Sequence, residues 1–523
     1  MIYGRLIRIG SAAFCMTGLL AGCGGSDDDG GVASISAETA CTALAGKTLA
    51  GTASLAAVTV AASGVVPTYC KVNGTLAPSL NFEMRLPQSW NGKLHYGGGG
   101  GYNGSIPGLN GYTLAALNQG YATVSSDSGH QGSGLSAAFA LNDPYAAQLF
   151  GSLSVPTVTS AAQELLRAAY NAAPTRSYFE GCSNGGREAL MNVQRYPNLF
   201  DGVIARAPAY NWVGLLGAFN RTDKALAAPG GQFSTAKVAL LAQAVRTSCD
   251  ALDGVVDGVV ANPKACSTAF NPASLRCTGG ADTGNTCLSD AQLAVVTSWT
   301  TPAVFAGSPT YRNLGWSLTG NEDDPGAWAA WVSGNANYTG ALQFLFQDTT
   351  VKYYLARNAN ADSIAYTPWD QNQNALFAMA ALNDATGTDL RPFRNSGAKL
   401  ILWHGGNDAA LSVNATTEYY TNVATAVGGQ AALDGFVRYY VAPGVNHCAG
   451  GPGADNADLL TALDTWVTTN TAPETLTAQK LAADATVALT RPLCRHPQYP
   501  RYTGPANDVA AAKLAASYTC TTP

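Results

Sequence analysis

The stretch Ser177-Tyr178-Phe179-Glu180-Gly181-Cys182-Ser183-Asn184-Gly185-Gly186-Arg187-Glu188-Ala189-Leu190 decides the fold. Its first four residues read as a buried strand, its last four open a helical pattern, and between them stands G-x-S-x-G. Strand, serine, helix is the order of a nucleophile elbow. The glycines have a physical reason: the sharp turn leaves no room for side chains beside the serine, and the helix N-terminus favours developing negative charge.

Outward from this turn the texture is alternating. Over residues 40–212 short apolar runs (Lys93 to Tyr96, Tyr121 to Ser125, Ser177 to Glu180, Gly202 to Arg206) alternate with helical stretches such as Thr159 to Tyr170 and Gly186 to Tyr196. That is the pattern of a parallel α/β sheet. Residues 213–395 are rich in Trp, Asn and Gly, hold four cysteines and show few strand-like runs, so they read as an insertion. The α/β pattern resumes over residues 396–523 with Lys399 to Trp403, Gly435 to Val441 and the helical Asp455 to Thr468.

A serine at neutral pH needs a base, and the base needs an orienting acid. Asp408 follows the strand Leu400 to Trp403, and His447 follows the strand Val437 to Val441, both in strand-end loops and in the order Ser, Asp, His. That is the α/β-hydrolase order. Among the five histidines, His95 reads as structural within a strand and His496 as a surface residue of the tail. His130 and His404 read as loop residues beside the site and poorer bases, because neither falls after the aspartate. Cys182 precedes the serine and Cys448 follows the histidine, so bringing Ser183 to His447 also brings these two thiols together.

The chain has 523 residues, 47% hydrophobic and only 12% charged, with a net charge of −5 and no basic stripe, which excludes nucleic acid as a partner. At the N-terminus Arg5 and Arg8 precede an apolar run from Ile9 to Leu20 that is too short to span a membrane and suits a signal-peptide core. It ends in Leu20-Ala21-Gly22-Cys23, a lipobox pattern. Residues 1–22 are therefore expected to be a lipoprotein signal peptide and residues 23–39 a tether, anchoring an exported bacterial lipoprotein to the membrane only by lipid. Setting aside Cys15 and Cys23, ten cysteines remain, which in an oxidising compartment read as five disulfides. Their connectivity is open, although 249/266, 277/287 and 494/520 are short loops to close. No CxxC pair or zinc-finger histidine spacing suggests zinc.

These motifs together resemble the tannase and feruloyl esterase family of α/β-hydrolases. The likeness runs from about Cys41 to Cys520 through GCSNGGREAL, AKLILWHGGNDAALS, PGVNHCAGGPG and RPLCRHPQY. It implies an α/β-hydrolase fold with a large lid, Ser183 as nucleophile, His447 as base, Asp408 as its orienter and a Cys182–Cys448 disulfide. It also implies the pairs Cys41/Cys70, Cys249/Cys266, Cys277/Cys287 and Cys494/Cys520.

The run Gly97 to Gly101 follows a strand, and consecutive glycines let backbone N–H groups approach a substrate oxygen. Family position points to Gly99, with the N–H of Asn184, as the oxyanion hole. The family often has an acid where this chain has Asn184, but only the backbone donates. A phosphate-cradling loop is the other reading, and the run lacks the Lys-Ser/Thr of a P-loop.

Within the insertion, Asp250, Asp253 and Asp257 share a short loop with Gly254 and Gly258. Close hard oxygens and tight turns suit Ca2+. The loop is no EF-hand; it resembles the family's lid calcium site, in which carbonyls of Val255 and Val259 would complete the shell. A merely solvated acidic turn is the alternative.

Trp328, Trp331, Phe344, Phe346, Tyr366, Trp369 and Phe377 are candidates for an aromatic wall. Arg312 and Arg357 are the only plausible partners for a substrate carboxylate between Cys287 and Ala380. The expected function is hydrolysis of a small ester of an aromatic acid, feruloyl or galloyl in type, through an acyl-enzyme. Hydrolysis of a terephthalate monoester and non-catalytic binding of aromatic or plant-wall material are the alternatives.

Overall fold

In the computed structural model, which describes residues 35–49, 51–367, 373–506 and 508–523, nine strands form one sheet in the order β1-β2-β3-β5-β4-β6-β7-β10-β11. These are β1 Thr52–Val60, β2 Tyr69–Leu76, β3 Leu80–Pro87, β4 Lys93–Gly97, β5 Ala122–Ser126, β6 Arg176–Ser183, β7 Gly202–Pro208, β10 Lys399–Gly405 and β11 Val437–Ala442. From β5 through β11 every neighbouring pair is parallel, while β1, β2, β3 and β5 pair antiparallel. The chain order reverses between β5 and β4, and the loops after the central strands gather at one end, where open α/β sheets place their sites.

The parallel strands are apolar because both faces are covered. On one face Leu94, Phe179, Val203 and Leu400 share a core with buried side chains of the helices Ala37–Leu44, Ser154–Tyr170 and Asn184–Arg195. On the other, Tyr178, Ile204, Ile401 and Trp403 meet the helix Leu459–Thr469. Each such side chain contributes about 1.5–3 kcal/mol by burial, so the two layers hold the strand ends in register.

Between β7 and β10 no described residue adds a strand to this sheet. That segment carries helices and one small hairpin, β8 Ala303–Phe305 with β9 Ser308–Asn313. Its core stacks Trp299 on Trp316 at 4.2 Å and sets Trp328 against Phe233 at 5.3 Å. Residues Ile35–Pro523, core and insertion together, pack as one unit. The expected signal peptide and Cys23, like most of the tether, lie outside the described residues. The last residues of the tether do not, because Ala37 starts a helix capped by Ser36 and is buried. No helix among the described residues is long and apolar enough to cross a membrane.

Among the described residues five disulfides close the chain: Cys41–Cys70, Cys182–Cys448, Cys249–Cys266, Cys277–Cys287 and Cys494–Cys520. Four link residues between 10 and 29 apart; Cys182–Cys448 spans 266.

Candidate active site

Ser183 ends β6 with φ +65° and ψ −122°, and the helix Asn184–Arg195 starts at the next residue. A non-glycine residue held at that φ is strained, and strain of this kind marks a side chain thrust out of its strand. The turn works only because its neighbours lack Cβ atoms: one added at Gly181 would lie 2.6 Å from the backbone of Gly185, and one at Gly185 would lie 2.8 Å from the Gly99 carbonyl.

Asp408 and His447 follow β10 and β11, adjacent parallel strands. His447 Nδ1 stands 2.8 Å from Asp408 Oδ2. Burial works against the charge of Asp408, but the imidazoles of His447 and His404 overcome it and hold the carboxyl well below its usual range. A carboxylate there accepts from Nδ1–H, which leaves the lone pair of His447 on Nε2. Cys182–Cys448, with α-carbons 6.0 Å apart, ties the residue before the serine to the residue after the histidine.

Beside Ser183 lies a half-open cavity whose walls carry no charged side chain among the described residues. Trp212, Leu215, Leu216 and Phe219 form one wall, and Trp331 and Phe346 another. The Trp331 ring stands edge-on to His447 at 5.0 Å and stacks on Phe346 at 6.2 Å.

Residues 63–521 match the model of the family described as tannase and feruloyl esterase. The chain belongs to that family. It is a carboxylic ester hydrolase. A mono(2-hydroxyethyl) terephthalate hydrolase of Piscinibacter sakaiensis is 34% identical over 517 residues, covering 86% of this chain and 85% of that protein. A probable feruloyl esterase B-1 of Aspergillus fumigatus is 28% identical, covering 84% of this chain and 83% of its own. The crystal structure of feruloyl esterase B from Aspergillus oryzae shares the fold, with TM-score 0.79 and 24% identity over 93% of this chain and all of that one.

In this esterase the glycine run departs from the expected hole. Gly99 N–H is already engaged, donating to Glu188 Oε2 at 3.0 Å, so it is not free for a substrate oxygen. Glu188 Oε1 accepts from the side chains of Asn103 at 2.8 Å and Asn184 at 3.2 Å. A buried carboxylate therefore pins the glycine loop to the helix below it. The glycine that borders the cavity with Ser183 and Asn184 is Gly101.

Of the expected aromatic wall, Trp331 and Phe346 border the cavity, whereas Trp328 is core of the insertion. Phe344 packs on Tyr338, Tyr366 is half-buried in the insertion's cluster, and Phe377 is exposed beside Tyr311. Trp369 lies outside the described residues. Arg312 pairs with Glu418, and Arg357 donates to the Ala140 and Leu141 carbonyls, so both are committed away from the cavity. His404 belongs to β10 and is fully buried, and His130 stacks on Phe139 at 3.7 Å. His496 is half-buried against Tyr439 rather than free on the surface, and burial lowers its pKa to about 4.

The wall from Trp212 to Phe219 was missed at a domain boundary, although its spacing of three, four and seven residues on one helix face is visible in the sequence. Glu188 and His404 carry no motif of their own.

In the acidic loop, Asp250 accepts from Asp257 and Gly258 N–H groups, Asp253 from Ala261 and Asp257 from Val259. Asp257 also pairs with Arg491 at 2.6 Å. Burial first, then the charges of Asp257 and Asp250, push Asp253 up to about 7. Gly254 and Gly258 take φ +102° and +83°, as the tight turn requires. Three close carboxylates that share the single arginine Arg491 fit Ca2+ by donor chemistry. As the side chains stand, no group of three His, Cys, Asp or Glu residues among those described forms a ready metal cluster.

Proposed function

We propose that this esterase cleaves small esters of aromatic acids, feruloyl or galloyl in type, through an acyl-enzyme on Ser183. Ser183 Oγ attacks the ester carbonyl as His447 Nε2 takes its proton, while Asp408 holds the ring and balances the imidazolium. The oxyanion lies against the N–H of Asn184, free at the first turn of its helix, and the Gly100-Gly101 turn, in place of Gly99. His447 then gives its proton to the departing alcohol. Water, deprotonated by the same histidine, releases the acid.

The observation that carries the substrate class is the cavity beside Ser183, walled by Trp212, Phe219, Trp331 and Phe346 and uncharged among the described residues. An aromatic ring gains by burial there, and phenolic hydroxyls need only ordinary hydrogen-bond partners. The terephthalate monoester is the second reading, favoured by the relative at 34% identity. Against it stands the commitment of Arg312 and Arg357 elsewhere, because a buried carboxylate without a cation is costly. Steady-state rates on methyl ferulate, methyl gallate and the terephthalate monoester separate these readings. An enzyme inactive on all three, with p-nitrophenyl esters also untouched, would sink both and leave the binding lipoprotein.

The reading extends to Ca2+ held by Asp250, Asp253 and Asp257 with the Val255 and Val259 carbonyls, a structural ion away from the chemistry. It places the enzyme outside the cytoplasm, anchored through acylated Cys23; five disulfides support an oxidising compartment.

A further inference from the structure

Asp408 has a full complement of donors. Oδ1 accepts the N–H groups of Ala410 and Leu411, each at 2.8 Å. Oδ2 accepts from His447 Nδ1 at 2.8 Å, and His404 Nε2 lies 3.1 Å from that same oxygen. His404 and Asp408 are both buried, so neither exchanges these partners for water.

The surroundings of His404 fix which nitrogen carries its hydrogen. Nε2 also stands 3.1 Å from the Leu411 carbonyl, and two acceptors on one side require Nε2–H. Nδ1 lies 3.0 Å from Thr416 Oγ1, whose hydroxyl is free to donate to it. Thr416 sits in the helix Val413–Val427 and His404 in β10, so the arrangement is built on two rigid elements rather than on the loop that carries Asp408.

We infer that His404 is a positioning residue for the catalytic aspartate: its Nε2–H holds Asp408 Oδ2 in place for His447, and Thr416 sets its tautomer. The inference rests on the Ser183, His447, Asp408 reading and adds a second histidine on the shared oxygen. His404 touches no reacting atom and acts through Asp408 alone.

Two consequences follow from losing that donor. The carboxylate is freer to turn away from His447, which lowers kcat more than it raises KM. The charge on Oδ2 also becomes less shared, which stabilises the imidazolium of His447 and moves the acid limb of the pH–rate profile upward. The titratable groups around this cluster are His447 on the β11 loop and Glu322, which borders a cavity with Asp408 from the insertion side. The residue beside His404 on β11, Val441, is uncharged.

The test compares His404→Leu, His404→Gln and Thr416→Val with the parent and with Ser183→Ala, using methyl ferulate or whichever ester proves active, across the pH range. His404→Leu is expected to lose about 10–100-fold in kcat with KM within about threefold, and its acid limb should move upward. His404→Gln carries an amide N–H near the place of Nε2, so kcat should recover to within about fivefold and the limb should return. Thr416→Val should lose about threefold in kcat with a smaller shift of the same sign. Parental kcat and an unmoved acid limb in His404→Leu would overturn the inference. So would equal loss in the Leu and Gln variants with no shift of the limb, since the ring then serves only packing. If His404→Leu does not fold, Thr416→Val decides alone, and parental behaviour there overturns the inference. Activity surviving in Ser183→Ala would instead bring down the triad reading beneath it.

Discussion

Cys182 and Cys448 are bonded with their α-carbons 6.0 Å apart, across 266 residues, so the residue before Ser183 and the residue after His447 form one covalent unit. Ser183 ends β6 and His447 lies in the loop after β11, with β7 and β10 between them in the sheet. The bridge adds a covalent tie to the loop packing that sets their separation. Replacing both cysteines by Ala should lower kcat by at least about tenfold and destabilise the fold by roughly 2–5 kcal/mol. Kinetics at a temperature where the variant remains folded checks the first, and denaturant melts the second. Unchanged kcat in the folded variant would show that loop packing alone suffices.

The acidic loop predicts a link between pH, Ca2+ and stability. Asp253 is raised to about 7, mainly by burial, so the metal-free folded chain keeps a proton that the unfolded chain releases near pH 4. The folded chain then binds more protons than the unfolded one between those values, and stability falls as pH rises from about 4 through about 7. Calcium bound at this loop would relieve this by replacing the proton. The gain in Tm on adding Ca2+ should therefore be larger at pH 8 than at pH 5, with kcat per folded molecule unchanged. Melting curves after chelation check it, and an equal or absent gain at both pH values counts against the site.

The uncharged cavity predicts selectivity. The value of kcat/KM for methyl ferulate or methyl gallate should exceed that for the terephthalate monoester by at least about tenfold, a difference of only ~1.4 kcal/mol in transition-state binding. A comparable or higher value for the monoester would require a cation within reach of the cavity.

Trp331 joins the insertion to the chemistry, because its ring borders both the cavity and His447. Trp331→Ala should raise KM for an aromatic ester by about tenfold, and much less for an acetyl ester, which has no ring to bury. Equal effects on the two esters would point to disturbed His447 rather than lost substrate contact.

The parallel half of the sheet was legible because buried strands are apolar throughout: Ser177 to Glu180, Gly202 to Arg206 and Lys399 to Trp403 each mark an observed strand. The antiparallel β1 to β3 were not. β1 lies at the sheet edge with mostly exposed side chains, and its Ala- and Thr-rich sequence shows no strong period. Ser183, Asp408 and His447 stand out in the sequence because each is at a strand end in a motif with a chemical reason, and the fold brings the last two to 2.8 Å. The engagement of Gly99 N–H was not legible, since a run of five glycines gives no sign of which N–H another residue will take. Glu188 took it, and that pairing joins residues 89 apart in sequence. Of the six aromatic candidates among the described residues only Trp331 and Phe346 border the cavity, because a ring in the insertion serves its own core equally well.

A covalent intermediate on Ser183 is read out by peptide mapping with mass spectrometry after rapid acid quench of turnover with p-nitrophenyl ferulate. A feruloyl adduct on the peptide bearing Ser183 and a burst of p-nitrophenol are expected in the parent, and neither in Ser183→Ala. An adduct on another residue, or a burst that survives in Ser183→Ala, would contradict it.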